Sequence, residues 1–192
     1  MNVMAKATPF VVLAVLVVLA SSCKSSEFVY CKPATFANCT VAKCALNTEG
    51  TAYVCDCFVD NRYSATAKSS TCKEGSDYEL QSRFHPIESY QLCTTGQPDN
   101  KLWAWCLGMP CKTQPNSTSA QCECTFIPAG VPSIPYIVVT PTYVSTACEP
   151  NPGGIVWSSA TPDDVQSITE FLQESHPELG IKLPVVVLNP KQ

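Results

Sequence analysis

The alternation of apolar and polar positions marks out short strands and one amphipathic helix. Residues 51–59, Thr-Ala-Tyr-Val-Cys-Asp-Cys-Phe-Val, are β-branched and aromatic and nearly alternate, which predicts a strand. In that strand Cys55 and Cys57 share one face, because side chains repeat every two residues. They can therefore enter a core together and bridge to different partners rather than to each other. Residues 121–127 carry the same pattern around Cys122 and Cys124, and residues 136–140, Tyr-Ile-Val-Val-Thr, read as another strand. A shorter strand is expected at 78–80, residues 155–157 align with 79–81, and the mostly apolar residues 102–106 read as a buried strand. The helix is expected at 162–174. Thr161 is its N-cap, Pro162 suits its first position, and Asp163 and Asp164 suit the positive end of its dipole. Val165, Ile168 and Leu172 form its apolar face, with Phe171 beside them, and His176-Pro177 stop it. Residues 183–188 form a last apolar segment, an edge strand because of Pro184. Turns are expected at 47–50, 73–77 and 97–100, and the polar stretch 61–70 reads as loop. Pro86 opens a second, short helix with His85 just ahead of it.

These elements recur. Cys39-x4-Cys44-x10-Cys55-x-Cys57 returns as Cys106-x4-Cys111-x10-Cys122-x-Cys124, and Phe36-Ala37-x-Cys39 lines up with Trp103-Ala104-x-Cys106. Cys72 and Cys148 each precede a Ser-x-x-x-Pro at the same offset, Ser82 to Pro86 and Ser158 to Pro162. The expectation is a small disulfide-rich, mainly β fold with one C-terminal helix, built from two tandem six-cysteine repeats. Repeat one covers 29–89, repeat two with the helix 90–176, and a C-terminal segment 177–192. Cys124 and Cys148 enclose 23 residues where Cys57 and Cys72 enclose 14, so repeat two carries an inserted, Pro-rich loop around 131–143.

Composition narrows the class. Thirteen cysteines among 192 residues, with only 15% charged, fit an exported protein whose cross-links supplement a limited core. A net charge of −4 argues against a nucleic-acid partner, which wants a basic face. Lys6 followed by the unbroken apolar run 10–20 reads as a signal peptide over 1–22, since a transmembrane helix needs about 20 apolar residues. Twelve cysteines divide evenly between the repeats, Cys31, Cys39, Cys44, Cys55, Cys57 and Cys72 in one, Cys93, Cys106, Cys111, Cys122, Cys124 and Cys148 in the other. Six cysteines allow fifteen connectivities, among which sequence does not choose. Cys23 is the odd one and stands at the end of the apolar run. Leu19-Ala20-Ser21-Ser22-Cys23 resembles a bacterial lipobox, with Ala20 where leucine is usual. That resemblance implies acylation of Cys23, a short tether over 23–28 and, with Lys24 next, sorting to an outer membrane. The other readings are ordinary cleavage after Ala20 or Ser22 with a spare thiol, or an intermolecular bridge.

No residue set settles a chemistry. Trp105 is the candidate ligand-binding residue, because its counterpart Asn38 is a residue that faces water. Trp103 matches Phe36 and reads as core. His85 and His176 read as helix-end residues, and neither sits in a Ser or Cys arrangement suited to nucleophilic catalysis. C-x-C is tight for one tetrahedral zinc and no histidine is near, so no metal or cofactor is expected. Redox pairs are usually C-x-x-C, which favours structural bridges. Asn38-Cys39-Thr40 and Asn116-Ser117-Thr118 are formal glycosylation sequons, without meaning in a bacterial host. The pattern W-A-W-C-x4-C-x10-C-x-C, followed later by a cysteine and V-W-S-S-A, resembles small cysteine-rich exported proteins of bacteria with lipoprotein-like signal peptides. The resemblance covers repeat two well and repeat one in part. It implies export and a lipid anchor and brings no activity or functional residues with it. The expected function is a non-enzymatic envelope or surface protein, anchored to a membrane through Cys23, that binds a protein or a glycan. The alternatives are a secreted inhibitor or toxin-like effector whose reactive surface is the 131–143 loop, with its prolines and an exposed strand, and a hydrolase.

Overall fold

The computed structural model of the chain describes residues 27–70, 72, 76, 78–93, 103–126, 135–149 and 155–190. The signal peptide, Cys23, the turn at 97–100, most of the turn at 73–77 and the start of the 131–143 loop lie outside the described residues. The strands, in order, are β1 (Phe28–Cys31), β2 (Phe36–Leu46), β3 (Tyr53–Asp60), β4 (Ser64–Ala67), β5 (Glu79–Arg83), β6 (Ser89–Cys93), β7 (Ala104–Trp105), β8 (Pro110–Thr113), β9 (Ser119–Phe126), β10 (Tyr136–Val139), β11 (Val156–Trp157) and β12 (Val185–Val186). Among the described residues one α-helix, α1 (Pro162–Ser175), precedes one 3-10 turn at Pro177–Leu179. The fold is mainly β and disulfide-rich, with its helix near the C-terminus.

The central pair is β3 against β9. Along β3 the buried residues are Tyr53, Cys55 and Cys57, and along β9 they are Ala120, Cys122 and Cys124, so each strand puts its cysteines on one face. The two run antiparallel with Cys55 opposite Cys122. β2 lies outside β3 and β8 outside β9. β11 then pairs with β2, and β5 with β8. β5 also runs parallel to the start of β2, with Ala37 beside Ser82, which closes the sheet into a small barrel. Its interior is mostly sulfur and small side chains from both cysteine sets. The segments 29–89 and 90–176 thus share one sheet and one core rather than hanging as beads.

All twelve cysteines from Cys31 to Cys148 are bridged, in the same nested order in each set. Cys44–Cys55 and Cys111–Cys122 join directly opposed strand residues. Cys39–Cys57 and Cys106–Cys124 lie one step out, and Cys31–Cys72 and Cys93–Cys148 enclose them. The Cys39 and Cys122 sulfurs, from different sets, lie 3.5 Å apart. The inner bridges therefore pack on one another as well as cross-linking the strands.

A second core lies between the barrel and α1. Val165, Ile168 and Leu172 of the helix meet Phe84, Ile87, Tyr90 and Ile137. Thr161 caps the helix: the Asp164 amide donates to its hydroxyl at 3.1 Å, and its own amide donates to the Asp164 carboxylate at 3.2 Å. β6 is flanked by β10 and β12 in a separate three-stranded sheet.

Three local expectations are corrected. The polar stretch 61–70 contains β4, because pairing with β1 buries Ser64 and Thr66. No helix follows Pro86. Ile87 and Tyr90 are needed in the second core, and β10 and β12 offer strand edges that capture 89–93 as β6. The strand at 136 is not an exposed loop feature: Tyr136 and Ile137 are buried, and Val138 and Val139 partly so.

Candidate functional site

The two cysteine sets interlock through a pair of buried serines. The Ser82 hydroxyl donates to the Cys106 carbonyl and accepts from the Met109 amide at 3.0 Å. The Ser158 hydroxyl donates to the Cys39 carbonyl and accepts from the Ala42 amide at 2.8 Å. Each Ser-x-x-x-Pro segment thus ties down the Cys-x4-Cys loop of the other set. At this seam Gly108 takes φ +77°, and a side chain there would begin 2.5 Å from the Ser70 hydroxyl, so the close approach requires glycine.

Beside the serines lies a cavity of about 60 Å³. Phe84, Trp105, Leu107, Ile137, Ala160 and Ile168 supply its apolar walls, and buried Arg83 also lines it. The cavity follows from a difference between the two segments. Where one carries Arg83-Phe84 after its serine, the other carries Ser159-Ala160, which are much smaller. Ser159 is spent on the scaffold: its amide donates to the Ala104 carbonyl at 2.9 Å and its hydroxyl to the Ile137 carbonyl at 2.5 Å. Trp105 is half-buried in the wall and meets Trp103 edge-on, with centroids 6.2 Å apart. Trp103 is buried and stacks on Tyr136 at 6.4 Å. The space suits a group of a few heavy atoms, since one water needs roughly 10–15 Å³ on this measure, and a pyranose ring does not enter it.

A second, wider groove of about 410 Å³ runs over Val54, Glu79, Leu80, Lys112, Gln121 and Glu123 on the outer face of the sheet. It has an apolar floor and charged sides but no aromatic ring for a sugar to stack on.

The two histidines end one ladder of rings. His85 packs on Tyr63 with centroids 4.9 Å apart, Tyr63 on Tyr30 at 6.3 Å, and Tyr30 on His176 at 3.8 Å. His85 Nδ1 is 2.8 Å from the Tyr63 carbonyl, so the neutral ring donates there. His176 Nδ1 pairs with Glu178 at 2.9 Å. The ladder ties β1 and the 61–63 turn to the end of α1. His176 does cap the C-terminus of α1, whereas His85 starts no helix. Sequence reading missed this assembly because its four rings are far apart along the chain.

Burial pushes the His85 ring below the usual histidine value, partly offset by the Tyr63 hydrogen bond. The unfolded chain therefore takes up the proton first as pH falls. Stability from this group is full above about pH 6.5 and lost as pH drops through that value toward the folded one. Thermal denaturation between pH 7.5 and 5 should show a falling midpoint, and His85→Gln should flatten that slope.

Close sulfur triplets occur, such as Cys39, Cys106 and Cys124 with atoms within 4.8 Å of one another. Every one of these sulfurs is in a disulfide, whereas the metal ligand is the thiolate. No protein-family model, no curated protein and no solved structure matches this chain.

Proposed function

We propose that this is an exported, lipid-anchored, non-enzymatic protein of the envelope or cell surface, and that it binds another protein by taking one apolar side chain into the cavity beside Trp105. The cavity carries the reading. It is apolar, sits at the seam between the two cysteine sets, is bordered by the one half-exposed tryptophan of the W-A-W motif, and is too small for a sugar ring. The six bridges suit an oxidising compartment, where such proteins fold. Among the described residues no helix is long and apolar enough to cross a membrane, and an anchor at Cys23 supplies the attachment. Copying of one six-cysteine module, followed by divergence at Ser159-Ala160, accounts for both the matched bridges and the cavity.

The inhibitor reading loses ground because Tyr136 and Ile137 of the inserted loop serve the core. The hydrolase reading loses ground because the Ser82 and Ser158 hydroxyls are held by backbone groups and the histidines lie in the ring ladder.

Intact mass of the native protein tests the anchor. The expected chain begins at Cys23, carries acyl mass and shows no alkylatable thiol until reduced; an unacylated chain with one reactive thiol overturns it. For the cavity, a photo-crosslinking residue at Thr40, on its lining, should give a discrete protein adduct in the native cell. Ala160→Leu adds three carbons to the cavity and should abolish that adduct while thermal stability is kept. An adduct unchanged by Ala160→Leu would show that the partner binds elsewhere.

A further inference from the structure

The C-terminal segment exposes apolar side chains that the fold does not use. Leu183, Val185, Val186 and Leu188 are 49, 66, 39 and 74% exposed. Val185 and Val186 are neighbours in β12 and point to opposite faces, so neither face of this strand is covered by another layer. β12 is also the outer strand of its sheet, held to β6 by the Val185 and Val187 amides, which donate to the Glu88 and Tyr90 carbonyls at 2.9 and 2.7 Å. Four exposed apolar side chains within six residues mark a candidate contact segment.

Its place relative to the N-terminus says what it meets. Ile181 packs against the second core, as Phe28, Tyr30 and Phe171 do; the Gln173 side-chain amide holds the Ile181 carbonyl at 3.0 Å, and Phe171, two residues before Gln173, meets Phe28 with ring centroids 6.1 Å apart. Leu183 is two residues beyond Ile181, within about 7 Å of chain. Four residues separate Cys23 from Phe28, so an acyl anchor at Cys23 lies no more than about 17 Å from Phe28. This argument rests on the lipid-anchor reading above. Lys182, exposed at the start of the apolar run, suits a lipid phosphate.

We propose that residues 183–188 lie on the membrane that holds the anchor, with their side chains in the headgroup region and the open edge of β12 still reached by water. The contact fixes the orientation of the body on the bilayer, which a single acyl attachment point does not do. Interfacial segments seat about 5–10 Å into the headgroup boundary, a depth at which backbone groups remain hydrated.

The test supplies the tether independently of acylation. The chain 23–192 with Cys23→Ser and an N-terminal hexahistidine is held on vesicles of phosphatidylethanolamine, phosphatidylglycerol and a nickel-chelating lipid. Amide exchange over 183–188 should slow about tenfold on vesicles relative to solution. Leu183→Ser, Val185→Thr, Val186→Thr and Leu188→Ser together should remove the slowing and leave the barrel amides protected. Unchanged exchange on vesicles, or slowing that survives the fourfold substitution, overturns the proposal. Slowing that appears without vesicles and grows with protein concentration also overturns it and assigns the segment to a second copy of the chain. Native intact mass reads the acylation separately, so failure of the anchor and failure of this contact are distinct results.

Discussion

Replacing Cys39 and Cys57 together by alanine should lower the thermal midpoint by roughly 5–20 °C, corresponding to about 2–5 kcal/mol. The bridge closes 18 residues, and in the chain-entropy account a loop of that size is worth about 3 kcal/mol. Removing it also takes sulfur from the barrel interior, where Cys39 contacts Cys122 at 3.5 Å and Cys57 is fully buried. Cys106 and Cys124 close the same separation, so their double substitution should cost a similar amount. Circular dichroism melts of the oxidised proteins give both values. A loss below about 1 kcal/mol in either would mean that the bridges decorate a core held by something else, which few apolar side chains in the barrel could supply.

Ser158→Val should cost about 2–6 kcal/mol, because it removes the hydroxyl and adds one heavy atom at a buried site. The hydroxyl serves two buried backbone groups, the Cys39 carbonyl and the Ala42 amide, and valine leaves both without that partner. Each orphaned group costs about 1–3 kcal/mol. Ser82→Val should behave alike through Cys106 and Met109. Urea denaturation measures the loss, and amide exchange at Ala42 or Met109 identifies its origin. Ser158→Thr keeps the hydroxyl and separates lost hydrogen bonding from added bulk. If valine were tolerated at both positions, the interlock between the cysteine sets would be incidental.

Much of the frame was legible because its causes are local. The Cys55 and Cys57 strand follows from two-residue alternation, and their orientation into a core follows from the same geometry. The helix at Pro162–Ser175 is announced by its cap, its first-turn acids and the spacing of Val165, Ile168 and Leu172. The edge strand after Pro184 follows from the missing amide of proline. Other elements have no local cause. β4 is a strand only because β1 lies beside it, and Ser64 and Thr66 carry no apolar signal. Pro86 and Pro162 occupy matching places, yet one precedes a strand and the other begins a helix. The difference lies in the neighbours, since β10 comes from the insertion and has no counterpart in the other set. Trp105 was singled out on its polar counterpart Asn38, but its cavity was not foreseeable. The cavity arises where the Ala160 stretch faces residues from five other segments, and no single stretch contains it.

By itself, then, the amino-acid sequence determined the mainly β, disulfide-rich fold class, the strands that carry the C-x-C pairs, the capped helix and the doubled cysteine spacing, all of which rest on patterns among residues near one another in the chain. Only the tertiary structure decided which cysteines pair, that each serine reaches into the opposite set, and that both histidines end one stack of rings. It also decided where the Trp105 cavity opens and which apolar segment is left uncovered. Those outcomes depend on the closing of the barrel, which brings together residues more than 80 positions apart, and backbone propensity carries no information at that range.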